Sequence, residues 1–440
     1  MKENNNEIII FWFRRDLRIQ DNHALYQALK LGKPILPIFI FDPEILNRFE
    51  DKKDRRVNYI HWALNQLSNQ FKIHKIPFKT FYDTPQNVFL KLTTDFNVKT
   101  VFYNRDYEPD TLKRDQFITE ILKQKNIEVK DFKDHTIFDK DDILKKDATP
   151  YTIFTPYSKK WLEKLQDNTI QTFEIILNDS QGVSIDSYIH SIDEIGFENL
   201  KINFKNPKLE DKIIDYYDRT RDIPSIKTTE IGMALRFGTI SIRSCVTFAI
   251  QHNQTWLKEL IWRDFFIQIL YHFPRVVNQS FKIKYDNIQW RNNEDEFDRW
   301  CKGNTGYPIV DAGMRQLNQT GFMHNRVRMI VASFLCKHLL IDWRWGEAYF
   351  AQKLNDYDLA SNNGNWQWAA SSGCDAVPYF RIFNPTEQTK RFDPYYEYCK
   401  KWIEEWDDYD YYPYDVTPMI EHKIARERAL HTFKRDLNER

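Results

Sequence analysis

Over its first 130 or so residues the chain alternates between short apolar runs and amphipathic stretches, and this constrains its fold more than any other feature. Strand-like runs occupy Ile8–Phe13, Ile35–Phe41, Phe78–Tyr82, Val98–Tyr103 and Glu128–Phe132, with helical segments near 22–31, 55–72, 85–95 and 111–125. Such alternation calls for a parallel sheet joined by right-handed crossovers, a doubly wound α/β domain. Gly32 is the single glycine of this half, so no G-x-G-x-x-G turn exists there. A dinucleotide gripped in the usual Rossmann manner is therefore excluded from it.

The rest of the chain reads differently. Residues 131–210 form a polar connector with prolines at 150 and 156, and from 211 to 440 the pattern is helical, with long helices expected over Trp256–His272 and Val327–Leu340. The expected organisation is thus an α/β domain over 1–130, a connector over 131–210, and a larger all-α domain over 211–440. Nine of the 12 glycines fall from Gly232 onward, which suits turns and close backbone approaches around a ligand. Formal charge is zero, with 63 basic and 63 acidic residues, which argues against bulk electrostatic coating of nucleic acid, so any basic face must come from placement. The five cysteines (245, 301, 336, 374, 399) are widely spaced with no C-x-x-C pair, a pattern of reduced thiols in a cytoplasmic protein, and no metal site is expected. No apolar run is long enough to span a bilayer, and the start of the chain lacks the features of a secretory signal.

Chemistry concentrates late in the sequence. Eight of the 13 tryptophans lie between Trp256 and Trp368. The block Asp356-Tyr-Asp-Leu-Ala-Ser-Asn-Asn-Gly-Asn-Trp-Gln-Trp368 mixes acids, amides and indoles in a way that fits neither a simple amphipathic helix nor an alternating strand. It reads as a buried polar pocket in which each amide needs a partner. In the helix from Trp256, the residues Glu259, Trp262, Arg263 and Phe266 share one face, while Leu257, Leu260, Ile261 and Phe265 form the core stripe. That face either receives a nucleobase by stacking and hydrogen bonding, or carries only a Glu259–Arg263 surface pair beside a tryptophan. In His324-Asn-Arg-Val-Arg-Met-Ile330, Asn325 and Met329 are neighbours at i and i+4. Asparagine can read a base edge, arginine can hold a phosphate, and methionine offers a polarizable, non-ionic wall.

Taken in order, Phe13-Arg-Arg-Asp-Leu-Arg-Ile-Gln-Asp-Asn22, Glu259-Leu-Ile-Trp-Arg263, Thr305-Gly-Tyr-Pro-Ile-Val-Asp-Ala312, Gly321-Phe-Met-His-Asn-Arg326 and Asp356–Trp368 resemble the successive motifs of the photolyase/cryptochrome family over nearly the whole chain. The resemblance is greatest to class I cyclobutane pyrimidine dimer photolyases. It implies light-driven repair of pyrimidine dimers in DNA by electron transfer from excited reduced FAD to a flipped-out dimer. The alternative is a blue-light-sensing cryptochrome without repair activity. A short helical-looking end, Pro418–Leu437, favours repair over a receptor with a long tail.

The resemblance also implies roles for particular residues. FAD would sit U-shaped in the helical domain, with Tyr217 and the turn Thr228, Thr229, Glu230, Ile231 and Gly232 at its phosphates. Glu259, Arg263, Asn325, Arg328, Asp356 and Asp358 would line the cofactor or substrate cavity, and Asn362 would face the flavin N5. Met329 occupies the position where (6-4) photolyases carry a histidine, which favours dimer repair. Trp262 and Trp368 would flank the flipped bases, while Arg326, Lys390 and Arg391 would hold DNA phosphates. Trp366, Trp343 and Trp290 would relay electrons from the surface to the flavin. The chain departs from the family at Gly232, where a hydroxyl residue is usual, leaving a backbone N–H as donor. A second antenna chromophore (folate, deazaflavin or flavin) is left open. Arg14, Arg15, Asp16 and Arg18 are expected to form salt bridges between the domains. The expected partner is ultraviolet-damaged DNA, with no membrane, and the chain is expected to be a monomer.

Overall fold

The computed structural model describes residues 7–167, 169–406 and 417–438. The chain divides into two compact units. The first comprises Met1–Asp142, Leu162–Leu209 and Ile231–Phe248; the second comprises Ile143–Trp161, Glu210–Glu230 and Ala249–Arg440. The connector is thus shared between the units, and residues 231–248, expected with the helical region, pack in the first.

Five strands, β1 (Glu7–Phe13), β2 (Ile35–Phe41), β3 (Lys79–Tyr82), β4 (Asn97–Asn104) and β5 (Glu128–Phe132), form one sheet in the order β3-β2-β1-β4-β5. Every pairing is parallel. Each strand lies within one residue of its expected run. The runs are continuously apolar because β1 and β2 are buried on both faces. The two-residue period then divides β1: Ile9, Phe11 and Phe13 pack with Leu25, Phe71 and Phe78, whereas Ile8, Ile10 and Trp12 pack with Phe89, Ile118 and Leu122.

Just after β1 the basic cluster finds its partners inside this unit, which corrects the expected bridging between domains. Arg14 donates to Asp115 at 2.5 and 2.6 Å, Arg15 to Glu108 at 2.8 Å, and Arg18 to Asp134 at 2.7 Å. Arg243 reaches Asp21 at 2.9 Å and Asp134 at 2.7 Å, and these ion pairs tie the 231–248 segment to the sheet's unit. Burial alone would raise the Asp134 pKa, but Arg18 and Arg243 together hold it well below the carboxylate range.

The second unit is built from helices, chiefly Gln254–His272, Pro308–Thr320, Asn325–Ser333, Trp343–Lys353, Leu359–Ala370 and His422–Asp436. The Thr305–Ala312 motif is an N-terminal clasp. Asp311 accepts from Thr305 N (2.7 Å), Thr305 Oγ1 (2.7 Å) and Gly306 N (2.9 Å), while Pro308 opens the helix. The helix expected over Val327–Leu340 begins at Asn325, but widens into a π-helical turn over Phe334–Leu339 before Leu340 turns left-handed at φ 52°. Among the described residues no helix is long and apolar enough to cross a membrane, no disulfide forms, and no group of three or more metal-ligating side chains assembles.

Candidate functional site

The block 356–368 does form a helix, Leu359–Ala370, contrary to its pattern. Asp358 caps it, accepting from Ser361 N at 3.1 Å, and Ser371 ends it in the left-handed region at φ 72°. Amphipathic periodicity fails because the helix buries polar side chains that satisfy one another. Asn363 Nδ2 donates to Val276 O (3.0 Å), and Gln367 Nε2 to Val276 O (3.0 Å) and Asn363 Oδ1 (3.0 Å). Gln367 Oε1 accepts from Phe281 N at 2.7 Å. Gly364 lets this helix meet Gln254–His272 closely: a Cβ there would lie 2.2 Å from the Phe266 ring.

This helix walls a partly open cleft that encloses about 610 Å³ of space, open solvent included. The cavity unites eight residues singled out from the sequence: Asn325, Arg328 and Met329 from one helix, Asp356 and Asp358 before the next, and Asn362, Trp366 and Trp368 along it. At its wall Arg328 donates to Asp356 Oδ2 at 3.0 Å, while the buried Asp356 Oδ1 has no hydrogen-bond partner among the described residues. An orphaned carboxylate oxygen is costly unless a donor meets it. Asn362 directs its Nδ2 at Glu347, to Oε1 at 2.9 Å and to the backbone O at 3.1 Å, so Oδ1 remains as its acceptor. Burial pushes the Glu347 carboxyl above its ordinary range, against the Asn362 hydrogen bond.

A second, polar group gathers Tyr217, Arg221, Asp222, Glu259, His324 and Arg326. Arg221 is ion-paired with Glu259 and packs over the Tyr217 ring at 5.6 Å. Glu259 therefore pairs with Arg221, and the surface pair with Arg263 does not form. Arg326 donates to Asp222 Oδ1 at 2.7 and 3.2 Å and lies 4.5 Å above the Phe392 ring. His324 Nδ1 accepts from Arg326 N at 3.2 Å, and its buried Nε2 has no hydrogen-bond partner among the described residues. Burial first, then the positive charge of Arg328, lowers the His324 pKa to about 4.

Other expected residues lie apart from the cavity wall. Trp262 stacks flat on Phe154, with centroids 3.6 Å apart and planes 3° from parallel, so one indole face is covered. Arg263 comes within 3.9 Å of Asp264. Trp343 is buried beneath its neighbour Arg344, whose guanidinium lies 4.7 Å from the ring, and half-buried Trp290 meets Phe433 edge-on at 5.9 Å. Lys390 and Arg391 are exposed on the Pro385–Phe392 helix, Lys390 pairing with Glu387 at 2.9 Å. Thr228, Thr229 and Glu230 belong to the second unit, Glu230 with φ 50°, whereas Ile231 and Gly232 open the Gly232–Phe237 helix of the first. Sequence reasoning missed Glu347, Asp222, Arg221 and Phe154, whose importance arises only when separate segments meet. His324, quoted in the motif, lacked any signal that it would be buried among arginines.

A family profile described as the FAD binding domain of DNA photolyase matches residues 256–415, and one described as DNA photolyase matches residues 9–174. The deoxyribodipyrimidine photo-lyase of Vibrio cholerae is 34% identical, the alignment covering 97% of this chain and 99% of that protein. A bacterial class III photolyase from Agrobacterium tumefaciens superposes with a TM-score of 0.84 at 29% identity, covering 99% of both chains. An archaeal photolyase from Sulfolobus tokodaii, solved with two FAD molecules, gives 0.83 at 32% identity, covering 97% of this chain and 100% of that one. The chain belongs to the DNA photolyase family.

Proposed function

We propose that this protein is a light-driven deoxyribodipyrimidine photo-lyase that restores cyclobutane pyrimidine dimers in ultraviolet-damaged DNA. The observation that carries the reading is the cavity bounded by Arg328, Asp356, Asn362 and Trp366 inside the segment that matches an FAD-binding photolyase domain. These residues fit FAD: the unpartnered Asp356 Oδ1 seeks a donor, which a ribose hydroxyl or a ring N–H would supply. When bound and reduced, FAD supplies the photoexcited electron donor for ring opening, with no net redox change.

The chain's own residues bind and orient. Asn362, with Nδ2 held by Glu347, keeps Oδ1 as an acceptor and would offer it to the N5–H of a reduced flavin. Arg328 holds the Asp356 carboxylate in place through their 3.0 Å ion pair, while Met329 gives a wall without acid or base chemistry. The proposed phosphate residues of the cofactor are Tyr217 and Thr228–Gly232, with Gly232 acting through its backbone N–H. Glu259, Asn325 and Arg263 are assigned to the substrate and cofactor cavity, and Asp358 to the cofactor. Photolyases are among the enzymes that extrude a base, and a dimer leaves the stack at reduced cost. Trp368 and the face of Trp262 not covered by Phe154 would support the flipped bases. Arg326, Lys390 and Arg391 would hold phosphates, fixing position and not sequence. Trp366, Trp343 and Trp290 are assigned to electron supply. The protein is read as a cytoplasmic monomer, and its antenna chromophore, if any, as a folate, deazaflavin or flavin. The test is substrate choice: duplexes with a single cyclobutane dimer should be restored under blue light, whereas (6-4) lesions should persist. Equal repair of both would contradict the role given to Met329.

A further inference from the structure

Beside the supply through Trp343 and Trp290 assigned above, Trp366 has aromatic neighbours of its own. Its ring contacts among the described residues are with Phe350, at 5.0 Å, and Trp300, at 6.2 Å between centroids and 72° between planes. Phenylalanine is not readily oxidised, so Trp300 is the redox-active neighbour. Trp300 is fully buried, donates its indole N–H to Val331 O at 3.2 Å, and meets the half-buried Tyr349 at 5.8 Å. Tyr349 reaches the surface, its hydroxyl donating to Asn318 Oδ1 at 2.5 Å and to Cys301 O at 3.2 Å.

We propose that Trp300 and Tyr349 form a second electron-supplying branch to Trp366, parallel to the one through Trp343 and Trp290. This inference rests on the flavin reading and deepens it. Electrostatics separate the two branches. A guanidinium 4.7 Å from the Trp343 ring opposes formation of a positive charge there, partly offset by the Asp342 and Asp286 carboxylates that pair with Arg344. No cation is positioned over Trp300 among the described residues; its π-faces meet Phe297 and Phe350, at 5.8 and 6.2 Å. Lys353 lies 5.8 Å from the Tyr349 ring, which disfavours a charged phenol and favours its neutral, deprotonated radical.

The electron balance is simple. Under illumination Trp366 gives one electron to oxidised FAD and is left as a radical cation. Trp300 refills it, and Tyr349 refills Trp300, losing one electron and its phenolic proton, which bulk water takes up at the solvent-facing hydroxyl. An external thiol then reduces the tyrosyl radical.

The test uses the full FAD-loaded chain with the flavin oxidised, under blue light with a thiol present. Flavin reduction is followed by absorbance and radicals by electron paramagnetic resonance of samples frozen under illumination. Trp343→Phe should retain measurable photoreduction and show a neutral tyrosyl signal. Adding Trp300→Phe should lower the remaining rate at least tenfold, and adding Tyr349→Phe should abolish the tyrosyl signal. Where Trp300→Phe loses FAD, the half-buried Tyr349→Phe carries the test. The branch is overturned if Trp343→Phe alone abolishes photoreduction, or if neither addition changes the residual rate and signal. Trp366→Phe separates the two readings, since photoreduction surviving in that variant contradicts electron supply through Trp366 itself.

Discussion

Gly346 sits in the Trp343–Lys353 helix, where an ordinary glycine would gain about 1 kcal/mol of helix propensity on becoming alanine. Here an added Cβ would lie 2.1 and 2.5 Å from two atoms of the Trp366 indole and 2.6 Å from Leu335 Cδ2. Both neighbours are in the core, Trp366 at 2% exposure and Leu335 at 0%, so neither can swing into solvent. Overpacking of this kind typically costs ~1–3 kcal/mol, and more where several fixed atoms collide. The steric cost outweighs propensity, and Gly346→Ala should lose about 1–2 kcal/mol relative to wild type. The clash falls on the six-membered ring of the indole at the cavity wall, so FAD retention should fall as well. Urea unfolding followed by circular dichroism, at equal FAD loading, gives the stability. A double-mutant cycle with Trp366→Phe isolates the cause, because the smaller ring removes the colliding atoms and the two changes should couple by ~1 kcal/mol or more. A rise in stability with Gly346→Ala, or strict additivity in the cycle, would refute the packing argument.

Other outcomes follow from the same site. The folded His324 pKa of about 4 lies below the ordinary value, so the unfolded chain binds the extra proton; stability fully present above pH ~6.5 is lost as pH falls toward 4, by at most about 3 kcal/mol. His324→Asn should flatten that part of the urea midpoint against pH, and an unchanged profile would remove His324 as the cause. Arg328→Ala leaves both Asp356 oxygens without their cation, so FAD should dissociate at least tenfold more readily, measured by flavin release on filtration; retained affinity would take Asp356 away from the cofactor site. Because Arg326 already pairs with Asp222, a DNA phosphate must displace that carboxylate. Arg326→Ala should therefore weaken dimer-duplex binding by only ~1 kcal/mol, Asp222→Asn should strengthen it, and the reverse order in a salt-controlled binding assay would contradict the exchange.

The α/β unit was legible because its signals are local: continuous apolar runs for β1 and β2, and a two-residue period dividing Ile9 from Ile8, need no knowledge of distant partners. The cavity was half legible. Asn325, Arg328, Met329, Asp356, Asp358 and Asn362 came from motifs, yet the Leu359–Ala370 helix was hidden because Asn363 and Gln367 are core residues satisfied by Val276. Glu347 was invisible for the same reason, as its one telling contact, with Asn362, joins two helices. The ion pairs of Arg14 and Arg18 were foreseen as a cluster but not as internal to one unit, since their acceptors, Asp115 and Asp134, lie about a hundred residues away. Trp300 drew no attention, since one indole among 13 gains meaning only from lying against Trp366.

Light-driven repair of a defined lesion can be counted turnover by turnover. The purified chain, loaded with FAD and chemically reduced, is mixed with a duplex carrying one thymine dimer and illuminated with blue light beside a dark control. Restored thymines are counted by chromatography. Repair that requires light, FAD and reduction together, with each enzyme restoring many dimers, is the expected result. Bound FAD and bound dimer with no light-dependent restoration would contradict the account.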